Sequence, residues 1–305
     1  MVLKVLDEDR LRTIREGCIK VVKAVVETDP HRTGNRGSHR YGFDGAVGHF
    51  DALGHWACII DPPALNEVLT EILGEGYIAD SEYFGGGDFT IPGCLNYQEL
   101  HRDSGDPIEL DGVTATSGKN GGPHSAHYQL QGQDFRDFPC PKLTVNYPME
   151  LTEDGASSVG HVQYNGATRM IPGTQHSHDV IPEPKDEPAW MKLSIACPVP
   201  AGAALIRDLR CWHGGTPNLS EHTRALPGQK YWASWYRAGE FTKTMSCEIY
   251  ATLSPHGQEI CRYMVVAEGE TPRFRSMQMG RWSHAEDGWP APDELDPEYH
   301  ALARL

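Results

Sequence analysis

No apolar run in this 305-residue chain approaches the ~20 residues that a membrane-spanning helix needs, so no such anchor is expected within it. The opening stretch, MVLKVLDEDRLRTIREG, lacks the unbroken apolar core of a secretory signal, and a cytoplasmic location is expected. Basic residues are scarce: 27 Lys plus Arg stand against 42 Asp plus Glu, a formal charge of −15. A surface of that sign repels phosphate backbones and anionic bilayers, which argues against nucleic acid and membrane as partners and leaves a small-molecule substrate. None of the eight cysteines (18, 58, 94, 140, 197, 211, 247 and 261) forms a CxxC pair. They stand in apolar surroundings, such as EGCIKVV around Cys18 and SIACPVP around Cys197, and read as buried free thiols in a reducing compartment. Internal repeats and low-complexity tracts are also missing.

What is present is a helical start followed by many short strands. Residues 6–28 carry an apolar stripe of Leu11, Ile14, Cys18, Val21, Val22 and Val25 at helical spacing. A second helix is expected over 62–74, with Pro in its first turn and Gly after its end. From residue 77 onward strands dominate, over 77–84, 88–91, 94–101, 142–148, 160–164, 167–171, 192–199, 203–207 and 230–237. Short strands with Gly and Pro punctuation indicate a mainly β (α+β) two-sheet jelly roll braced by helices. One domain over 1–305 is expected: helical support over about 1–76, a barrel core over about 77–240 and a C-terminal extension over about 241–305. The Gly-, Ser- and Thr-rich insert 111–138 is expected to be a lid. The last 30 residues are expected to wrap the barrel, with a homodimer contact as one use.

The most telling residues are His101-Arg102-Asp103 and, 110 positions after Asp103, His213. Two histidines and one carboxylate can hold iron(II) by a single face and leave three positions open. His101 and Asp103, two apart at a strand end, project to the same side of a sheet. His213 follows the apolar strand around Ala204, Leu205 and Ile206, and Arg224 lies eleven residues further on. A guanidinium there suits the distal carboxylate of 2-oxoglutarate through two parallel charge-assisted hydrogen bonds, with Arg237 or Lys230 on the following strand as the alternative holder. Each residue also has an ordinary reading: turn hydrogen bonds for His101 and Asp103, a packed core histidine for His213, a surface arginine for Arg224. His124 and His127 sit in a loop context, and His176 and His178 follow an Ile-Pro-Gly turn where polar residues are expected anyway.

Four pieces in order decide between these readings. Gln98 three before His101, the His101-x-Asp103 pair, the segment NGATRMIPGTQHSH at 165–178 and the run from Trp212 to Arg224 together resemble the phytanoyl-CoA dioxygenase family of iron(II)- and 2-oxoglutarate-dependent oxygenases. The resemblance spans roughly residues 95–236. It implies a double-stranded β-helix, a cupin-like barrel with iron between its sheets. It also implies iron ligation by His101, Asp103 and His213, capture of the 2-oxoglutarate distal carboxylate by Arg224, a co-substrate hydrogen bond from Gln98, and Thr168 as a hydroxyl lining the pocket. The implied reaction consumes O2 and 2-oxoglutarate, releases succinate and carbon dioxide, and hydroxylates, desaturates, epoxidises or cyclises a substrate. Halogenating relatives carry a small residue in place of the carboxylate ligand, so Asp103 disfavours halogenation.

The aromatics Tyr41, Phe43, Phe50, Trp56, Tyr83, Phe84 and Trp235 suggest an apolar mouth and a small, largely apolar metabolite of natural-product biosynthesis. The alternatives are a small primary metabolite or acyl group as substrate, a non-catalytic metal-binding cupin-like barrel, or a cupin-like iron or zinc enzyme that does not use 2-oxoglutarate.

Overall fold

Helix α1 (Glu8–Thr28) begins where the sequence provides a cap. The Asp7 side chain accepts from Arg10 N at 2.9 Å, and Glu8 and Asp9 follow in the first turn, where negative charge complements the helix dipole. Its stripe of Leu11, Ile14, Cys18, Val21 and Val25 is buried, with Val22 at the edge. These contacts belong to a computed structural model that describes residues 2–43, 53–103, 135–236 and 243–272. Phe50, His124, His127, Arg237, residues 111–134 of the expected lid and the final 30 residues lie outside that set.

In chain order the elements are β1 (Val2–Lys4), α1, β2 (Arg40–Phe43), α2 (Leu53–Trp56), α3 (Pro63–Leu73), β3 (Ile78–Ala79), β4 (Gly87–Thr90), β5 (Lys142–Asn146) and β6 (Met149–Leu151). There follow β7 (Val159–His161), β8 (Thr168–Met170), α4 (Ala189–Lys192), β9 (Val199–Pro200), β10 (Ala203–Asp208), β11 (His213–Gly215), β12 (Thr223–Trp232), α5 (Cys247–Thr252) and α6 (Pro255–Cys261). The large sheet runs β1-β10-β5-β12-β4-β2, with β3 and β6 also paired to β12. Small ladders join β11 to β8 and β7 to β9, and every strand-to-strand ladder is antiparallel. The protein is thus mostly antiparallel sheet with flanking helices. None of the described helices is long and apolar enough to cross a membrane.

The two long helices fall within two residues of their expected bounds, but several strands do not. Residues 94–101 form an extended loop, tied down by the isolated bridges Cys94–Asn218 and His101–His213 and by a backbone bond from Gln98 N to Gly215 O of β11 at 2.9 Å. The stretch 77–84 is a two-residue strand followed by a 3-10 turn at Ser81–Tyr83. The stretch 192–199 starts as the last residue of α4 and becomes strand only at Val199. Where 230–237 was expected, β12 begins seven residues earlier and runs straight through Pro227-Gly228. Pro227 is tolerated because it sits where β12 passes from β6 to β5, and its carbonyl still accepts from Tyr147 N at 2.9 Å. All eight cysteines are free thiols as expected, but Cys197 is exposed, not buried.

Alternation along the large sheet separates its two faces. Leu143 and Val145 of β5, Phe89 of β4, Tyr41 of β2 and Ala225 of β12 belong to the main apolar core together with α1, α2 and α3. Their neighbours Thr144, Asn146, Asp88, Arg40 and Arg224 line a pocket on the opposite face.

Candidate metal centre

The bridge between His101 and His213 creates the site. His101 N donates to His213 O at 3.0 Å, the reverse bond is also 3.0 Å, and the two rings end 4.2 Å apart between centroids. Asp103 N donates to Leu209 O at 2.9 Å, which folds the carboxylate back toward both rings. The approach is close because of Gly214: a Cβ there would stand 2.8 Å from Gln98 O and 3.1 Å from Glu99 O. His213 does not end the strand 203–207 as expected; a turn intervenes and His213 opens β11.

Among the described residues, His101, Asp103 and His213 are the one group of such side chains whose ligand atoms lie within 4.8 Å of one another. His101 Nε2 is 3.8 Å from Asp103 Oδ1, and His213 Nε2 is 3.5 Å from Asp103 Oδ2. His101 Nδ1 lies 2.9 Å from Glu99 O and His213 Nδ1 lies 3.0 Å from Cys211 O. Nδ1–H donation to these carbonyls is the tautomer that leaves both Nε2 lone pairs facing the carboxylate; at His213 it competes with the Arg207 guanidinium, which lies against the same Nδ1. Burial, with the charge of Arg207, pushes His213 well below the usual imidazole range, so it is neutral at pH 7. Desolvation alone would raise the Asp103 carboxyl, but its electrostatic interactions with His213, Arg207, Lys230 and His101 hold it well below the usual carboxylate range. A neutral imidazole at His213 and an ionised carboxylate at Asp103 are forms that bind a divalent cation.

Arg224 stands in the same pocket, on β12 and buried. Its Nε and Nη2 donate to Gly166 O at 3.0 and 2.6 Å, and Nη2 also donates to Thr90 Oγ1 at 2.9 Å. Nη1 is buried with no hydrogen-bond partner. A guanidinium held on two edges with a free third donor is a cradle for a carboxylate. Gln98 and Thr168 line the pocket too, and Gln98 Oε1 accepts from Gly215 N at 3.1 Å. All six residues singled out in the sequence thus share one pocket.

Others in that pocket were not singled out in the sequence, except Lys230, the alternative to Arg224. Arg207 donates from Nη2 to Asp103 Oδ2 at 2.7 Å, and its Nη1 lies 3.1 Å from His213 Nδ1. Arg40 donates to Asn96 O and Thr216 O beneath Gly215, and Arg36, Asp88, Thr144, Asn146 and Lys230 complete a polar lining. Strand parity was the available signal, since Lys230 stands six residues from Arg224 on one strand and so shares its face. Of the aromatics expected at the mouth, Phe43 and Tyr83 reach the pocket; Tyr41, Trp56 and Phe84 are buried in the core, and Trp235 is exposed beside Phe138. His176 Nδ1 lies 2.6 Å from Arg136 O, and His178 Nε2 3.0 Å from Asp137 Oδ1, so both serve the turn.

Residues 118–226 match the model of the phytanoyl-CoA dioxygenase family. Over that stretch the chain is similar to the phytanoyl-CoA dioxygenase family. The match takes in Thr168, His213 and Arg224, while Gln98, His101 and Asp103 precede it and join through the His101–His213 bridge. Solved structures to which the chain is similar include EvdMO1, at 14% identity and TM-score 0.46, covering 76% of this chain and 46% of that one. The chain therefore spans about half the length of EvdMO1. AviO1 from Streptomyces viridochromogenes Tue57 is similar at 13% identity and TM-score 0.43, covering 78% of this chain and 90% of that one. HygX from Streptomyces hygroscopicus, solved with nickel and 2-oxoglutarate, is similar at 13% identity and TM-score 0.46, covering 81% and 85%.

Proposed function

We propose that this chain is an iron(II)- and 2-oxoglutarate-dependent oxygenase of a small metabolite, and that the whole chain works as one domain. The observation that carries the reading is the coincidence, in one pocket, of a His-Asp-His ligand cluster and a buried arginine with an unpaired donor. The large sheet and the β8–β11 ladder are read as the two faces of a double-stranded β-helix, with the ligands where they meet.

In this reading His101 Nε2, His213 Nε2 and one oxygen of Asp103 hold the metal. Iron(II), when bound with 2-oxoglutarate and O2, supplies oxidative decarboxylation to succinate and carbon dioxide coupled to oxidation of a C–H bond. Arg207 occupies the second Asp103 oxygen, which favours one-oxygen ligation and keeps coordination positions open. Arg224 receives the distal carboxylate through Nη1, in a setting where burial leaves it little water to lose. Gly215 N fixes the Gln98 carbonyl oxygen, so the amide NH2 is the end turned to the ligand. Thr168 adds a hydroxyl at the wall. Phe43, Tyr83, Met170, Leu205 and Leu226 give the substrate an apolar body to rest against, in keeping with a small natural-product scaffold.

Succinate release with iron(II), 2-oxoglutarate and O2 tests the reaction class. His213→Ala is expected to lose metal binding and turnover while keeping its far-ultraviolet circular dichroism. Full turnover by that variant would overturn the ligand assignment.

A further inference from the structure

The pocket is lined by more cations than a diacid co-substrate and a metal ligand set require, and Lys230 is one of them. Arg224, Leu226, Gly228 and Lys230 alternate along β12, and three of them line the pocket. Across the register, Lys230 faces Thr144 of β5, and Thr144 faces Arg207 of β10. Lys230, Thr144 and Arg207 therefore form a row beside the metal ligands, whereas Arg224 belongs to the row of Thr90 and Arg40. Six strand residues separate the two rows on β12, a span of roughly 20 Å at about 3.4 Å per residue. A five-carbon diacid chelating the metal and reaching Arg224 extends away from Lys230, which leaves that ammonium on the other side of the ligands.

Lys230 is not neutralised by its surroundings. The two carboxylates whose charges it feels most are engaged elsewhere: Asp103 with Arg207 at 2.7 Å, and Asp80 with Lys142 at 2.7 Å. Among the described residues, its Nζ contacts the Tyr83 ring, 4.1 Å from the centroid, and makes no ion pair. A partly buried ammonium without a counter-charge is costly, and an arriving anion relieves that cost. In a chain of net charge −15, such a positive row is a local exception that selects for negative ligands.

We propose that the substrate oxidised in this pocket carries an anionic oxygen group, a carboxylate or a phosphate, that pairs with Lys230 on the side of the metal ligands away from Arg224. The proposal rests on the oxygenase reading of the site and deepens it: the apolar body sought from the aromatics is joined to a charged handle. The handle fixes which C–H bond lies over the metal.

The test uses the full chain loaded with nickel(II), so that no turnover occurs, and saturated with 2-oxoglutarate. Hexanoate, hexyl phosphate and the neutral hexanol are titrated by calorimetry into wild type, Lys230→Met and Lys230→Arg. At least one anionic probe is expected to bind wild type tenfold or more tighter than hexanol. That preference should vanish in Lys230→Met and return in Lys230→Arg, with 2-oxoglutarate affinity in Lys230→Met within twofold of wild type. Whichever anion is preferred identifies the handle as carboxylate or phosphate. The proposal is overturned if the probes bind wild type alike or not at all, if Lys230→Met keeps the preference, or if it weakens 2-oxoglutarate tenfold, since Lys230 would then serve the co-substrate. Wild-type protein that binds no 2-oxoglutarate overturns the oxygenase reading separately, and the anion preference is then judged on the same probes without it.

Discussion

Replacing Arg224 by Ala tests the co-substrate assignment most sharply. Burial lowers its guanidinium to about 10, which still leaves it cationic at neutral pH. The residue is 2% exposed, and its Nη1 is the buried donor left open. A carboxylate bound there loses its counter-charge in the variant, at a cost on the order of 2 to 5 kcal/mol. At about 1.4 kcal/mol per decade, 2-oxoglutarate affinity should fall by roughly thirty-fold to several thousand-fold. The same truncation strips a donor from Gly166 O and Thr90 Oγ1, each worth ~1–3 kcal/mol if left unsatisfied, so the melting temperature should also drop. Calorimetry of 2-oxoglutarate binding to nickel-loaded protein, well below the variant's melting point, separates the two effects. Nickel affinity should be unchanged, because no ligand is lost. Arg224→Lys should fall between, keeping charge without the fork. Unchanged 2-oxoglutarate affinity in a folded Arg224→Ala protein would refute the assignment.

Two further outcomes follow from the contacts around the ligands. Arg207→Met removes the partner of Asp103 Oδ2 and should weaken cobalt(II) binding by about 10- to 100-fold, read by titration in the visible spectrum. Wild-type affinity in that variant would mean that Arg207 does not orient the carboxylate. His161 is fully buried with both ring nitrogens unpartnered, and burial, then the charge of Arg224, holds it well below the usual imidazole range. Because the unfolded chain takes up this proton near pH ~6.5 and the folded one does not, the associated stability is whole above that pH and lost below it. The loss approaches about 1.4 kcal/mol per pH unit. Urea midpoints of metal-free protein at pH 7.5 and 5.5 should diverge less in His161→Gln than in wild type, and equal divergence would show that His161 is not the titrating group.

How much was legible depended on whether a residue's role is local or cross-strand. The stripe in α1 and the Pro63 and Gly74 ends of α3 are written in consecutive positions, so both helices were readable to within two residues. The His101, Asp103 and His213 cluster and Arg224 were readable because they occur as spaced motifs, although the strand expected to carry His101 and Asp103 is a loop. His101 sits in a loop, and backbone bonds to His213 position it more than any strand of its own. Arg207, Lys230 and Arg40 carry no motif; what marks them is facing the same interior as Arg224, and that requires the register of β12 with β5 and β4 and of β5 with β10. Pro227-Gly228 concealed that register by looking like a break in what is one ten-residue strand.

The location of the hydrophobic core follows from the same parity. Two packed sheets ordinarily fill the space between them with interdigitated apolar side chains. Here the inner face of the large sheet presents Arg40, Asp88, Arg224, Asn146, Thr144, Arg207 and Lys230, groups that bind ligands but bury little apolar area. The compensating burial has to lie on the outer face, where Tyr41, Phe89, Leu143, Val145 and Ala225 meet Leu11, Ile14, Cys18, Val21 and Val25 of α1 and the leucines of α3. Each fully buried aliphatic or aromatic side chain contributes ~1.5–3 kcal/mol, so the helical layer supplies stability that the pocket face of the large sheet forgoes. Truncations at the helix–sheet contact should therefore lower stability with metal and co-substrate binding preserved, whereas truncation of Arg224 should weaken co-substrate binding and lower stability together.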